Sequence, residues 1–210
     1  MTRPQAPITI LIADDHTIVR AGLVALLGTE PDLKVIGQAK NGIEAVREAV
    51  RLRPDIVLMD LMMPRKDGVE ATVELAEKAP ESKVILLTTY GTSDGISHAL
   101  DAGAKGAILK NADNAQLAQA IRRVARGGEY VSPEIRQQLA LNPPIPKLSP
   151  RQREILGSIT KGLTNADIAR QLGISVDMVK KHMNALMQKM NAANRSEAVA
   201  IALRKQLLKI

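Results

Sequence analysis

The chain has 210 residues, 45% of them hydrophobic, and its only aromatic residues are two tyrosines, so it can bury a core, but an aliphatic one. It contains no cysteine, which excludes disulfides, thiolate catalysis and Cys-based zinc sites, and its apolar runs are too short for a signal segment or a membrane span, so a soluble cytoplasmic protein without membrane contact is expected. Residues 146–210 hold 12 Lys and Arg against 4 Asp and Glu, a charge of +8 out of a total of +7, which points to a polyanion-binding tail on a near-neutral partner.

Short apolar runs alternate with amphipathic segments through the first part of the chain. Ile8–Ala13 reads as a buried strand and Thr17–Leu27 as a helix. Leu33–Ala39 and Gly42–Leu52 repeat the pair, followed by Ile56–Met59, which Asp60 ends, and Val69–Lys78. Lys83–Thr88 with Asp94–Ala102, then Ala107–Leu109 with Asn114–Arg126, complete five strand–helix units. Asp113 is placed to cap the last of these helices. Such alternation predicts a doubly wound, flavodoxin-like (βα)5 parallel sheet with helices on both faces. Right-handed crossovers then bring all strand C-terminal ends to one rim.

Gly127-Gly128 stops the last helix, and prolines follow at 133, 143, 144 and 146. Residues 128–147 read as a linker, within which Pro133–Leu141 has room for a short helix, and Asn142–Lys147 should run extended. Beyond it, helix starts follow closely at Ser149, Thr164, Ser175 and Asn194, each with its capping pattern. Gly162 and Gly173 stand where the preceding helices should stop. Four short helices in residues 148–210 predict a small all-α domain.

Asp14 and Asp15 follow the first strand, Asp60 ends the third, Thr88 the fourth, and Lys110 follows the fifth. In a doubly wound sheet these positions converge at the carboxyl rim, where such folds bind ligands. Three carboxylates at close range cannot all ionise without a counter-ion. A hard divalent cation such as Mg²⁺, which takes carboxylate, water and phosphate oxygens, resolves the conflict. Lys110 adds a positive charge and Thr88 a hydroxyl for further phosphate oxygens, so the set suits phosphoryl transfer, with Asp60 as the best-placed nucleophile. Singly, each has an ordinary alternative: Asp14 and Asp15 as caps of the first helix, Lys110 as a surface lysine, Thr88 as a plain strand residue, and Asp67-Gly68 as only a turn. Jointly, those alternatives require five coincidences on one sheet edge.

Asn165–Asn184 holds a helix, a Gly-containing turn and a second helix capped by Ser175, the helix-turn-helix pattern. At about 100° per residue, Val179, Met183, Leu186 and Met190 share one stripe of the second helix and should pack inward. Asp177, Lys181, Asn184 and Gln188 fall opposite, with Lys180 at the edge. Amides and lysines on an exposed helix can read bases and hold phosphates. A merely solvated face is the alternative, which the charge of the tail disfavours.

The segments ILIADDH, DIVLMDLMMPRKDG, VILLTTY and GAKGAILK resemble the motifs of receiver domains across residues 7–127. That resemblance implies Asp60 as phosphoacceptor, with Asp14, Asp15, Asp60 and the Met62 backbone carbonyl around Mg²⁺ or Mn²⁺. It implies Thr88 as the switch hydroxyl and Lys110 as the phosphate-binding lysine. Receivers usually carry Tyr or Phe three residues before this lysine, where this chain has Ala107; Tyr90, two residues after Thr88, is a candidate partial substitute. LSPRQREIL, GLTNADIARQLGISVDMVKKHMNALMQKM and NRSEAV resemble the LuxR-type DNA-binding domain. By that likeness Lys180, Lys181 and Asn184 contact bases or phosphates, and Thr164, Asn165, Ser175 and Gln188 complete the candidate set. Met178 departs from the Thr usual there. His182 has no second ligand at metal spacing.

End to end, the chain resembles the NarL/FixJ response regulators. The implied organisation is a receiver over 1–127, a linker over 128–147 and a DNA-binding domain over 148–210. The implied partners are a sensor histidine kinase, double-stranded DNA and a second copy of the chain once phosphorylated or DNA-bound. Two rivals differ in class. A haloacid-dehalogenase-like phosphohydrolase would carry D-x-D after the first strand, where this chain has Asp14-Asp15. A phosphorylation-independent DNA binder would not need the complete acidic set.

Overall fold

The structure, a computed structural model, describes residues 6–89, 93–146, 148–205 and 207. Among these the chain divides into two compact units, one ending at Asn142 and the other beginning at Pro143.

The first unit follows the alternation of the sequence. Strands β1 (Ile8–Ala13), β2 (Leu33–Ala39), β3 (Ile56–Asp60), β4 (Lys83–Thr88) and β5 (Gly106–Leu109) alternate with helices α1 (Thr17–Leu27), α2 (Gly42–Leu52), α3 (Gly68–Lys78), α4 (Ser93–Asp101) and α5 (Asn114–Ala125). The sheet is parallel, in the order β2-β1-β3-β4-β5-β6. Successive side chains of a strand point to opposite faces, and the core divides accordingly. Leu11, Val57, Met59, Leu86 and Ala107 pack under α2, α3 and α4, with Ala49, Leu75 and Ile96 facing them. Ile10, Ile12, Leu58, Leu87 and Ile108 pack under α1 and α5, with Leu27 and Ile121 opposite. Every residue of β3 is buried, as a central parallel strand covered on both faces requires. Because β2 and β3 flank β1, the chain reverses direction across the sheet beside β1, and the loops after β1 and β3 open there into a crevice.

The expected linker departs from the sequence reading. From Tyr130 the chain adds a sixth strand, β6 (Tyr130–Val131), parallel to β5, and then helix α6 (Pro133–Leu141). Ser132 caps α6, Pro133 takes its first turn, and Ile135 is fully buried in the first unit's core. The first unit therefore extends to Asn142 rather than ending at 127. A two-residue strand has no periodicity of its own; its pairing comes from the neighbouring edge. Residues 142–146 are non-helical, as their prolines dictate.

The second unit consists of α7 (Pro150–Thr160), α8 (Asn165–Leu172), α9 (Val176–Met190) and α10 (Arg195–Arg204). Ser149 and Thr164 form full capping boxes with Gln152 and Asp167, and Ser175 and Asn194 cap the other two helices. Gly173 ends α8 at φ 64°, a left-handed conformation that glycine adopts without steric cost. The core gathers Ile155, Leu156, Ile168, Val179, Leu186 and Ala198. No described helix is long and apolar enough to cross a membrane.

Candidate functional site

The C-terminal ends of β1, β3, β4 and β5 bring together the residues singled out in the sequence. Asp14, directly after β1, is fully buried, and Asp60, closing β3, is 3% exposed. Thr88, ending β4, is buried and lies one residue beyond Leu87, the β4 partner of Asp60. Lys110 follows β5, its N–H donating to the Thr88 carbonyl at 2.7 Å. Its ammonium stands 2.6 Å from Asp14 Oδ2 and 2.8 Å from Asp60 Oδ2. Only 10% of its side chain is exposed, so Lys110 is not a surface lysine.

The loop after β3 is held from several sides. Met62 N donates to Asp60 Oδ1 at 3.3 Å, and the Met62 side chain points largely into solvent. Arg65 adopts φ 70°, disfavoured for a residue with a Cβ. The neighbouring Lys66 fixes it there, its carbonyl accepting from Gly42 N and its ammonium pairing with Glu74. Asp67 makes a capping box with Glu70 at the start of α3. Gly68 is needed for close approach: a Cβ there would lie 2.3 Å from the Asp60 carbonyl oxygen. The Asp-Gly pair is thus more than a turn signal, because it lets α3 start against the backbone of Asp60.

Burial pushes the Asp60 carboxyl up, the nearby Asp14 charge adds to this, and Lys110 offsets only part of it. Burial pulls the Lys110 ammonium down, but its bonds to Asp14 and Asp60 outweigh that and hold it above the ordinary lysine value. Asp15 completes the cluster from the rim. Oxygens of Asp14, Asp15 and Asp60 and a nitrogen of His16 all lie within 4.8 Å of one another. Carboxylate oxygens at this spacing fit a hard divalent cation, and the buried Asp14 and Asp60 carboxylates would share their charge with it as they now do with Lys110.

Helix capping does not account for the acidic pair, since α1 has no side-chain cap. Asp14 Oδ1 instead accepts from His16 N at 2.8 Å. His16 is the residue the sequence reading passed over. Its Nδ1 lies 2.8 Å from Asp15 Oδ1 and 3.3 Å from Asp14 Oδ1. The signal was its place in the Asp-Asp-His run, which carries no weight until the strand end is known to be a site. Ala107 is fully buried in β5, and Tyr90 lies outside the described residues.

In the second unit, Val179, Met183, Leu186 and Met190 face inward, and Lys180, Lys181, Asn184 and Gln188 are exposed along α9. Thr164 and Ser175 spend their hydroxyls on caps, accepting from Asp167 N and Met178 N at 3.2 Å. Their helices thereby present ordered N-termini, which attract anions. Asn165, Lys180 and Asn184 line a concavity of about 620 Å³ between the starts of α8 and α10 and the side of α9. Arg195, also on its wall, donates to the Leu163 carbonyl and ties the turn before α8 to α10.

A parallel sheet with a carboxylate–lysine rim, joined to a basic helix-turn-helix unit, is the make-up of a signal-responsive DNA-binding regulator. Residues 10–122 match the response regulator receiver domain family, and residues 146–202 match the luxR family of bacterial regulatory proteins. The chain is 39% identical to the oxygen regulatory protein NreC of Staphylococcus carnosus, over 95% of this chain and 98% of that protein. The NreC of Staphylococcus haemolyticus is 38% identical with the same coverage. Among solved structures, the response regulator ChrA of a heme-sensing two-component system is similar at 33% identity and a TM-score of 0.59, covering 97% of this chain and all of that one. The response regulator RcsB in complex with DNA shares the fold, at 22% identity and a TM-score of 0.67 over 94% of this chain and 98% of its own. The chain belongs to the NarL/FixJ family of two-component response regulators, transcription regulators that join a receiver to a LuxR-type DNA-binding domain.

Proposed function

We propose that Asp60 accepts a phosphoryl group from a sensor histidine kinase and that this modification controls DNA binding by the second unit. The carrying observation is the Lys110 ammonium held between the Asp14 and Asp60 carboxylates. An Asp60 oxygen attacks phosphorus, the P–N bond of the phosphohistidine breaks, and the imidazole leaves, so that Asp60 becomes an acyl phosphate. Lys110 turns from the carboxylates to a phosphoryl oxygen, and the Thr88 hydroxyl donates to another. Asp14, Asp15, Asp60 and the Met62 carbonyl would hold Mg²⁺ or Mn²⁺, which supplies positive charge beside the phosphoryl oxygens when bound. The chain is a phosphoryl acceptor rather than an enzyme with turnover, apart from slow loss of its own phosphate.

On the DNA side, α9 enters the major groove, with Lys180, Lys181, Asn184 and Gln188 facing base edges and phosphates. The N-termini of α8 and α9, at Thr164, Asn165 and Ser175, approach the backbone phosphates. Two copies then bind half-sites about 34 Å apart, one helical turn. A DNA target places the working protein in the cytoplasm.

The test is incubation of the full chain with a small phosphodonor and Mg²⁺, read by intact mass and by DNA titration. One phosphoryl group and tighter DNA binding are expected, both lost in Asp60→Asn. Labelling that persists in Asp60→Asn rejects the acceptor. Equal DNA affinity with and without donor leaves a DNA binder that phosphorylation does not regulate.

A further inference from the structure

The last two elements of the first unit, β6 and α6, are clamped to β5, the strand that leads into Lys110. Tyr130 N donates to the Lys105 carbonyl and Ser132 N to the Ala107 carbonyl, each at 3.0 Å, so β6 lies along β5 at Gly106 and Ala107. The approach is close: a Cβ on Gly106 would lie 2.9 Å from the Tyr130 carbonyl oxygen. The Ala107 side chain points to the α4 side of the sheet, in the core cluster that also takes in Ile135. Helix α6 packs on both α4 and β5, and Ile135 is its one fully buried residue, with Leu139 partly buried beside the same cluster. The small Ala107 thus leaves the ground that α6 covers, Gly106 on the opposite face admits the β6 backbone, and Ile135 is the fully buried side chain that anchors the helix.

We infer that Ile135 is a positioning residue that couples the acidic pocket to the second unit, with α6 as a strap released when Asp60 is phosphorylated. The inference rests on the phosphoacceptor reading and adds the route by which it acts. Lys110 stands three residues beyond Ala107, just past the end of β5, and its N–H is tied to Thr88 at the end of β4. When its ammonium leaves Asp14 and Asp60 for a phosphoryl oxygen, and Thr88 turns to another, the ends of β4 and β5 shift together. Packed cores respond to such shifts by switching between discrete arrangements rather than by deforming smoothly. Helix α6 on that edge holds by one fully buried residue, and its C-terminal residue Leu141 is 72% exposed. One residue beyond it the first unit ends, and Pro143 opens the second. Release of α6 therefore lengthens the free connection to the DNA-binding unit.

Backbone hydrogen exchange of the full chain, with and without a small phosphodonor and Mg²⁺, tests this, with intact mass read on the same samples. Phosphorylation should speed exchange of the amides of 133–141 by about tenfold or more and leave those of α5 unchanged. Addition of a phosphoryl group with unchanged exchange in 133–141 overturns the strap and leaves the acceptor standing. No mass increase overturns the acceptor itself. A second measurement uses Ile135→Ala, with Ile135→Val as the conservative control. Ile135→Ala should take up phosphate as the unsubstituted chain does, yet show fast exchange in 133–141 without donor and a DNA affinity that responds little to phosphorylation. A full DNA response in Ile135→Ala, with α6 already mobile, rejects the coupling.

Discussion

Lys110 Nζ stands 2.8 Å from Asp60 Oδ2, so the ammonium lies directly against the carboxylate proposed to take the phosphoryl group. Because the same nitrogen also neutralises the fully buried Asp14, Lys110 works as the internal counter-ion of the pocket. Replacing it by Met leaves two buried carboxylates facing each other. The fold should lose about 3 kcal/mol at neutral pH, the usual cost of stripping one partner from a buried pair. Urea unfolding measures this, and Mg²⁺ should return part of the loss. An unchanged midpoint would mean that water, not Lys110, neutralises the pair.

The raised Asp60 carboxyl predicts an acid-side effect of definite sign. An acid whose folded pKa exceeds its unfolded value, here near 3.8, favours the fold below that value and loses this contribution as pH rises through the folded one. Asp60→Asn removes the burden of the buried charge, so it should stabilise the protein at pH 7 by on the order of 1 kcal/mol. The gain should shrink as pH falls toward 4. Denaturation midpoints across that range decide it; a gain that grows on acidification would show that Lys110 dominates Asp60 instead.

Gly68 is the position where α3 meets the end of β3 at Asp60. A Cβ would lie 2.3 Å from the Asp60 carbonyl oxygen and 2.9 Å from the Leu61 Cα, both backbone atoms that move only with the loop. Gly68→Ala should therefore destabilise the first unit by about 2 kcal/mol and slow phosphate uptake by a small donor. Normal stability with normal uptake would show that the loop shifts freely.

The two kinds of contact expected of α9 can be separated by salt. Lys181→Ala should weaken DNA binding alike for all sequences and reduce the slope of log affinity against log salt by about 0.9, the loss of one phosphate contact. Asn184→Ala should leave that slope alone and cost about 1–3 kcal/mol at one base position. Identical behaviour of the two variants would place neither against a base.

The Ser175 hydroxyl orders the first turn of α9 by accepting from Met178 N. Ser175→Ala should cost the second unit about 1 kcal/mol in thermal or urea unfolding. A larger loss of DNA affinity than of stability would add a phosphate contact at that helix start.

What the sequence reveals and what it hides have physical causes. Buried parallel strands are continuous apolar runs ended by polar residues, so Asp60 and Thr88 mark their own strand ends. The caps at Asp113, Ser149, Thr164, Ser175 and Asn194 are local hydrogen bonds and leave local signatures. Helix α6 was legible only as a possibility, because its attachment depends on one residue, Ile135, and on an edge strand supplied by distant sequence. His16 was missed for a similar reason: an imidazole gains meaning from the carboxylates around it. Lys110 could be placed at the rim from its position after a strand, but its division between Asp14 and Asp60 is a three-dimensional fact.

Tyr130 lies on β6 and is partly buried against the core on the α1 and α5 side of the sheet. With no tryptophan or phenylalanine in the chain, the ultraviolet absorption and emission of the side chains come from two phenols, Tyr90 and Tyr130. The aliphatic interior is optically silent. The Tyr130 part of that signal therefore watches the margin of the sheet beside β5, where the chain turns toward the DNA-binding unit, and a change in it can occur while the interior keeps its packing.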